Sequence, residues 1–126
     1  MMRHCSLLMV VLCATAPAYA QKRAFTLEDL YRIRSIGDVQ VSPDGARAVY
    51  TVTTSDLPRG KRTTHIWLLE LASGQTRQLT WSDASTAPIF SPDGRSLAFV
   101  STRDGDANLY LLSLDGGEAK PLTHIS

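Results

Sequence analysis

The sequence has 126 residues and is close to neutral, with 13 lysine and arginine residues against 12 aspartate and glutamate residues. This balance argues against a partner such as nucleic acid or an anionic membrane, because both require a strongly positive surface. The two cysteines, Cys5 and Cys13, both lie near the amino terminus. The rest of the chain is therefore expected to contain neither disulfides nor a cysteine-based zinc site.

Residues 1–20 have the pattern of a secretory signal peptide. Arg3 precedes an apolar run at 5–16, and Ala-Tyr-Ala at 18–20 is a small-residue cleavage site. The run is shorter than the ~18–20 apolar residues that a membrane anchor needs. A bulky leucine before Cys13 disfavours lipidation, since lipoprotein signals resemble one another in having a small residue there. We therefore expect cleavage after residue 20, a periplasmic or secreted protein, and no membrane attachment after cleavage.

Residues 21–37 are predicted to form a helical lead segment, with one short amphipathic helix at about 27–34. Thr26 is a favourable N-cap, and Asp29 three residues later approximates a capping box. We expect this helix to cover the edge of the following sheet or to lead to a neighbouring domain, without a catalytic role. Four apolar side chains are expected to share one face of the helix: Leu27, Leu30, Tyr31 and Ile33.

The tetrapeptide Ser-Pro-Asp-Gly occurs twice, at 42–45 and at 91–94, with an offset of 49 residues. Serine, proline, aspartate and glycine in this order are typical of a type I turn. Each copy lies between two apolar or alternating stretches, so each predicts a tight β-hairpin. Gly45 and Gly94 are expected to adopt a positive φ, which glycine tolerates better than other residues.

The repeat continues beyond these turns, because 66–71 and 109–114 are similar segments with an offset of 43 residues. The offsets differ because the connection 53–64 is longer than its counterpart, 102–107. A unit of four short strands that repeats every ~40–50 residues is typical of a propeller blade. We therefore predict an all-β fold, a β-propeller with about two four-stranded blades in 38–126. The predicted strands are 38–42, 46–53, 64–71 and 75–80, then 86–90, 96–102, 107–114 and 118–123.

Both faces of the third strand in each unit are apolar, as 67–69 and 110–112 show. A repeat unit of this kind cannot bury its apolar surface without neighbours. Because propellers have ~4–8 blades, we expect further blades beyond Ser126. The two blades alone are expected to associate through their uncovered faces.

The motif search predicts no catalytic, cofactor-binding or metal-binding residue. The nucleophile elbow Gly-x-Ser-x-Gly is approached only at 94–98, which lacks the second glycine and begins a strand. The sequence contains no phosphate-binding loop, dinucleotide-binding motif or zinc-protease motif. Residues 104–108 resemble the start of a calcium loop, but Leu109 replaces the required glycine, so a solvated hairpin turn is the better interpretation. His65 and His124 lie in unrelated contexts and predict no ligand.

Three stretches, 27–30 (LEDL), 38–45 (DVQVSPDG) and 50–52 (YTV), resemble the start of secreted bacterial members of the prolyl oligopeptidase family of serine peptidases. The acylaminoacyl-peptidase and dipeptidyl-peptidase branch is the most similar. Residues 90–94 (FSPDG) and 102–110 (TRDGDANLY) are similar to propeller repeats of that family and, equally, of the periplasmic TolB propeller.

This resemblance implies an N-terminal propeller and a C-terminal α/β-hydrolase domain with a Ser-Asp-His triad. The propeller of the family restricts access to short peptides. The hydrolase domain is not contained in this sequence, so no triad residue is assigned here, and no cofactor is expected.

Three functions remain open at this point. The chain is the propeller region of a secreted serine peptidase, a non-enzymatic periplasmic propeller that binds protein partners as TolB does, or a repeat module fused to another hydrolase such as an amidohydrolase. The lead segment favours the first, because it carries the part of the resemblance that is specific to the family.

Overall fold

The computed structural model describes residues 24–82 and 84–124, so the predicted signal peptide lies outside the described residues. One short helix, α1 (Leu27–Arg32), precedes two antiparallel sheets of four strands each. The first sheet consists of β1 (Ser35–Val41), β2 (Arg47–Asp56), β3 (Lys61–Glu70) and β4 (Thr76–Gln78). The second consists of β5 (Ser85–Phe90), β6 (Ser96–Ser101), β7 (Asn108–Ser113) and β8 (Lys120–Pro121).

Each sheet is a simple meander in which every strand pairs with the strand next to it in the chain. This topology follows from the short connections, because an antiparallel pair needs only a tight turn between its strands. The two predicted four-stranded units are thereby confirmed, and we call them blade 1 (β1–β4) and blade 2 (β5–β8). No helix in the described part of the chain is long and apolar enough to cross a membrane.

The lead helix is capped as predicted but is shorter than predicted. The carboxylate of Asp29 accepts hydrogen bonds from the backbone N–H and the hydroxyl of Thr26, both at 3.0 Å. The backbone leaves the helix at Ile33, whose φ and ψ are extended, and β1 already begins at Ser35. The prediction of a lead segment to residue 37 is therefore too long, because Ser35 and the residues after it pair with an unexpectedly long β2.

The connection predicted at 53–64 is mostly strand instead of loop. β2 continues to Asp56 and β3 begins at Lys61, so only the turn 57–60 remains between them. Hydroxyl groups bridge the extended hairpin in two cross-strand pairs, Thr53 with Thr64 at 2.9 Å and Thr54 with Thr63 at 3.0 Å. Threonine is β-branched and suits a strand, and paired threonines stabilise a sheet. The additional residues of blade 1 therefore lengthen a hairpin beyond the end of its counterpart in blade 2.

Each blade has two faces, which we call front and back, formed by alternating residues of its two middle strands. In blade 1 the front face consists of Ala48, Tyr50, Trp67 and Leu69, and the back face of Val49, Thr51, Ile66 and Leu68. In blade 2 the front face consists of Leu97, Phe99, Tyr110 and Leu112, and the back face of Ala98, Val100, Leu109 and Leu111.

The hydrophobic core lies between the two blades, where the back face of blade 1 packs against the front face of blade 2. Val49 and Ile66 on one side and Leu97 and Phe99 on the other are all 0% exposed. Burying each such side chain stabilises the fold by roughly 1.5–3 kcal/mol. The blades are thus held together mainly by apolar contact, as expected for repeat units that need neighbours.

Candidate functional site

Each Ser-Pro-Asp-Gly turn fixes the end of the first strand of its blade. In blade 1 the Ser42 hydroxyl donates to Asp44 Oδ1 at 2.6 Å and accepts from the Arg47 N–H at 3.0 Å. The same carboxylate oxygen accepts from the Ala46 N–H at 3.0 Å. The predicted positive φ of the closing glycine is confirmed in both turns, at 73° for Gly45 and 69° for Gly94.

The second turn repeats these contacts. Ser91 donates to Asp93 Oδ1 at 2.5 Å and accepts from the Ser96 N–H at 3.0 Å. In both turns the hydrogen bond from the serine hydroxyl is the main cause that lowers the pKa of the aspartate, Asp44 or Asp93, below its ordinary value. A charged acceptor in a hydrogen-bonded turn is therefore part of both blades.

The strands that these turns hold, β1 and β5, form a surface that we call the inner rim. Each is the first strand of its sheet and pairs with only one neighbour, β1 with β2 and β5 with β6. The two strands also pack against one another. Large apolar side chains along the rim are 57–68% exposed: Ile36, Val39, Val41 and Ile89. These side chains are therefore available for contact beyond the two blades.

A β-bulge interrupts each rim strand at the same position of the repeat. The register shifts between Gly37 and Gln40 in β1, and between Thr86 and Ile89 in β5. The residue at each bulge has a positive φ although it is not glycine, 45° at Asp38 and 51° at Ala87. A positive φ is uncommon outside glycine, and aspartate adopts it more readily than alanine. The conformation of Ala87 is therefore the more strained of the two and persists because the surrounding structure enforces it.

The two bulges are joined to each other across the blades. The Ala87 N–H donates to Asp38 Oδ2 at 3.4 Å. Asp38 thus connects blade 1 to blade 2. It is also an acidic residue in a strand whose other exposed side chains include the apolar Ile36, Val39 and Val41. The 49-residue offset of the repeat pairs Asp38 with Ala87. Aspartate is only a weak signal for a positive φ and alanine is none, so neither position could be identified from the sequence.

The inner rim has groups that can bind an extended peptide and side chains that can exclude larger molecules. An edge strand has backbone N–H and C=O groups that can pair with an extended peptide, and its exposed side chains add shape selectivity. Among residues 24–82 and 84–124 there is no group of three or more histidine, cysteine, aspartate or glutamate side chains that could hold a metal ion.

The segment that resembles a calcium loop is a hairpin turn whose carboxylate has a protein partner. The hydroxyl of Tyr110 donates to Asp104 Oδ2, and this hydrogen bond is the main cause that raises the pKa of Tyr110. The guanidinium carbon of Arg103 lies 4.5 Å from the centre of the Tyr110 ring and 5.5 Å from that of Phe99. This cluster closes the end of the core between the blades and has a structural role.

A groove with a cavity volume of about 460 Å³ lies between α1 and the extended β2–β3 hairpin. Its walls include the apolar side chains of Leu30, Ile33 and Leu57 together with the charged side chains of Lys61 and Arg62. The apolar face of α1 borders this groove and is largely exposed, with Leu27 at 64% and Leu30 at 52%. The helix therefore covers less of the sheet than the amphipathic pattern predicted.

Comparison with known proteins identifies relatives among peptidases, although no protein-family model matches. The uncharacterized peptidase YuxL of Bacillus subtilis is 42% identical over 106 residues, which cover 82% of this chain and 16% of YuxL. Dipeptidyl-peptidase 5 of Porphyromonas gingivalis is 30% identical over 85 residues, which cover 67% of this chain and 12% of that protein. The chain thus spans about a sixth or less of the length of these relatives.

Among solved structures, the β-propeller domain of the Trilobed protease from Pyrococcus furiosus superimposes with a TM-score of 0.62. The sequence identity is 20%, and the match covers 74% of this chain and 28% of that one. This likeness confirms the predicted β-propeller fold. Together with the peptidase relatives and the motifs of the lead segment and the two turns, it shows that the chain belongs to the propeller region of the prolyl oligopeptidase family of peptidases.

Proposed function

We propose that these two blades belong to a secreted serine peptidase in which the propeller admits short peptides to a Ser-Asp-His site. That site would lie in a C-terminal α/β-hydrolase domain outside this chain. The observation that carries the proposal is the 42% identity to a peptidase over 82% of the chain. The predicted signal peptide at 1–20 supports secretion.

In this proposal the inner rim acts by exclusion. Exposed Ile36, Val39, Val41 and Ile89 would line the passage, and their bulk would set its width. The hydrogen bond between the Ala87 N–H and Asp38 joins the two first strands at their bulges and would limit their movement relative to each other. A narrow and stiff passage admits an extended peptide of a few residues and rejects a folded protein.

The first experiment compares the full-length protein with the 126-residue chain. Both are assayed on a short chromogenic peptide and on a folded protein of the same composition. We expect the full-length protein to cleave only the short peptide and the 126-residue chain to cleave neither. Cleavage by the 126-residue chain would contradict the proposal, and a full-length protein inert on every short peptide would instead favour a binding role.

A second experiment tests the passage itself in the full-length protein. Val39→Trp enlarges an exposed rim side chain, so kcat/KM for a peptide of about ten residues should fall about tenfold, which corresponds to about 1.4 kcal/mol. For a dipeptide substrate the change should be less than about twofold, a few tenths of a kcal/mol. Ala72→Trp adds the same side chain in the exposed turn after β3 and serves as the control. Equal losses for long and short substrates would contradict a role in size selection.

A further inference from the structure

The strand order places several connections at one end of the blades, which we call the helix end because α1 lies there. Successive strands of an antiparallel meander run in opposite directions, so a four-stranded blade is left at the end where it was entered. The chain passes from α1 to β1 and from β4 to β5 at this end. The β2–β3 and β6–β7 turns also lie there, whereas both Ser-Pro-Asp-Gly turns lie at the opposite end.

The same strand order determines where a following domain would be attached. Each further blade of this kind would return the chain to the helix end, so a domain after the last blade would be joined to the propeller there. The two blades correspond to about a sixth or less of the length of the peptidase relatives. A domain that follows the propeller would therefore start on the same side as α1 and the β2–β3 turn.

The β2–β3 hairpin of blade 1 projects farther at the helix end than its counterpart in blade 2. β2 and β3 have ten residues each, and β6 and β7 have six each. β2 and β6 begin at corresponding residues, Arg47 and Ser96, so the four additional residues of β2 lie at the tip. At ~3.3 Å per residue they lengthen the strand by roughly 13 Å. The blade itself does not need this length, because blade 2 has the same topology with shorter strands.

The projecting hairpin and α1 enclose the groove of about 460 Å³. Thr53, Ser55 and Arg62 line it, and by strand alternation they continue the back face of blade 1. The blade next to this face is blade 2, which is present and leaves the groove open. No further blade is adjacent to this face, so a body that covers the groove would have to approach from the helix end.

The surface of the groove combines apolar side chains with a basic border. Leu30, Ile33 and Leu57 are 52%, 48% and 41% exposed. Five basic residues and three acidic residues lie in 27–35 and 55–62: Arg32, Arg34, Arg59, Lys61 and Arg62 against Glu28, Asp29 and Asp56. Such a surface is complementary to a segment that carries an apolar side chain next to carboxylates.

We propose that the groove between α1 and the β2–β3 hairpin is the docking surface for the domain that follows the propeller in the full-length protein. A segment of that domain would place an apolar side chain between Leu30, Ile33 and Leu57 and carboxylates beside the basic residues of the hairpin. The inference rests on the proposed function only in that such a domain follows. The opposite end, with both Ser-Pro-Asp-Gly turns, would not contact the domain.

Photo-crosslinking of the full-length protein tests where the domain lies. Leu57→p-benzoylphenylalanine places the reactive group on the wall of the groove. Ala72→p-benzoylphenylalanine places it in the exposed turn after β3, at the opposite end, and is the control. After irradiation and digestion, mass spectrometry should find position 57 joined to a peptide of the domain that follows the propeller. Position 72 should give no such product.

Charge reversal tests the basic border of the groove. Arg62→Glu should lower the yield of the crosslink from position 57 about threefold, a change of the size expected for a surface charge pair. Arg95→Glu reverses an exposed charge at the opposite end and should change this yield less than about 1.5-fold. Near-ultraviolet circular dichroism of each variant checks that the blades are folded.

Four outcomes would overturn the proposal. These are the absence of a crosslink from position 57 to the following domain, equal yields from positions 57 and 72, equal effects of the two charge reversals, or a crosslink that joins two copies of the protein. An inactive protein that still forms the expected crosslink would contradict the proposed function alone. An active peptidase without this crosslink would contradict the docking surface alone.

Discussion

Gly45 and Gly94 close their turns in a conformation that residues with a β-carbon rarely adopt, with φ of 73° and 69°. A Cβ added at Gly94 would meet only Pro43 Cδ, at an ordinary contact distance of 3.5 Å. Backbone strain, and not lack of space, therefore determines which residues this position accepts.

Replacing Gly94 by valine in the complete protein should lower the free energy of unfolding by about 1–3 kcal/mol. The reason is that valine is β-branched and disfavours a positive φ. Gly94→Asn is the matched comparison and should lose less, because asparagine tolerates the left-handed region. Urea denaturation measures both variants. Equal losses would show that the strain argument is wrong.

Asp93 makes stability dependent on pH in a defined direction. The Ser91 hydroxyl and the Arg95 N–H lower its pKa in the folded protein, so the folded state binds the proton less readily than the unfolded state. The stabilisation is therefore complete above the ordinary aspartate pKa of about 4 and is lost as the pH falls through the lower pKa of the folded protein.

Asp93→Asn should be less stable than the unmodified protein near neutral pH, and the difference should shrink as the pH falls below about 4. Chemical denaturation at a series of pH values measures the difference. Asp106→Asn removes the same charge from the turn between β6 and β7, away from the two Ser-Pro-Asp-Gly turns, and is the control. A difference for Asp93→Asn that is independent of pH would contradict the assigned cause.

Residues whose partners are close in the sequence could be identified from it, and residues whose partners are far away in the sequence could not. The turn at 91–94 could be predicted because all of its hydrogen bonds join residues within five positions of each other. Asp38 and Ala87 could not, because their backbone conformation depends on packing between two blades that are 49 residues apart in the chain.

At the level of elements, the turn between β6 and β7 is tied to its own hairpin through Asp104 and Tyr110. Tyr110→Phe and Asp104→Asn should each destabilise the complete protein by about 0.5–1.5 kcal/mol, because each removes or weakens one hydrogen bond. The double variant should lose less than the sum, since the two residues share that bond. Thermal or urea denaturation of the four proteins measures the coupling. Strict additivity would show that the bond adds nothing to stability.

The order and type of the elements could be predicted, whereas several of their boundaries could not, among them the start of β1, the end of β2 and the start of β3. The apolar pattern of the sequence located the buried part of β3. Lys61 and Arg62 lie outside that pattern, and they are in a strand because they pair with Asp56 and Ser55 of β2. The amphipathic pattern of α1 indicated a helix correctly. The pattern could not show how much of the apolar face of α1 the sheet would cover, because the helix sequence does not determine which part of the protein it packs against.

For the molecule as a whole, secretion with processing remains a prediction. If the Ala-Tyr-Ala sequence at 18–20 is the cleavage site, the exported protein should begin at Gln21 or its cyclised form. Mass spectrometry of the intact exported protein and of its amino-terminal peptide identifies the first residue. Ala20→Arg should block cleavage and serves as the control. Detection of Met1 on exported protein would contradict the prediction.

The order of strands within the sheets has a consequence for how the protein is made. Every strand pairs only with its neighbour in the chain, so blade 1 has all of its partner strands once Gln78 has been synthesised. Contacts between residues close in sequence form quickly, because little chain entropy is lost in closing short loops. Blade 1 can therefore assemble while later residues are still leaving the ribosome or an export channel. It would then offer its back face as a template on which blade 2 condenses, so that the ring grows in the direction of synthesis.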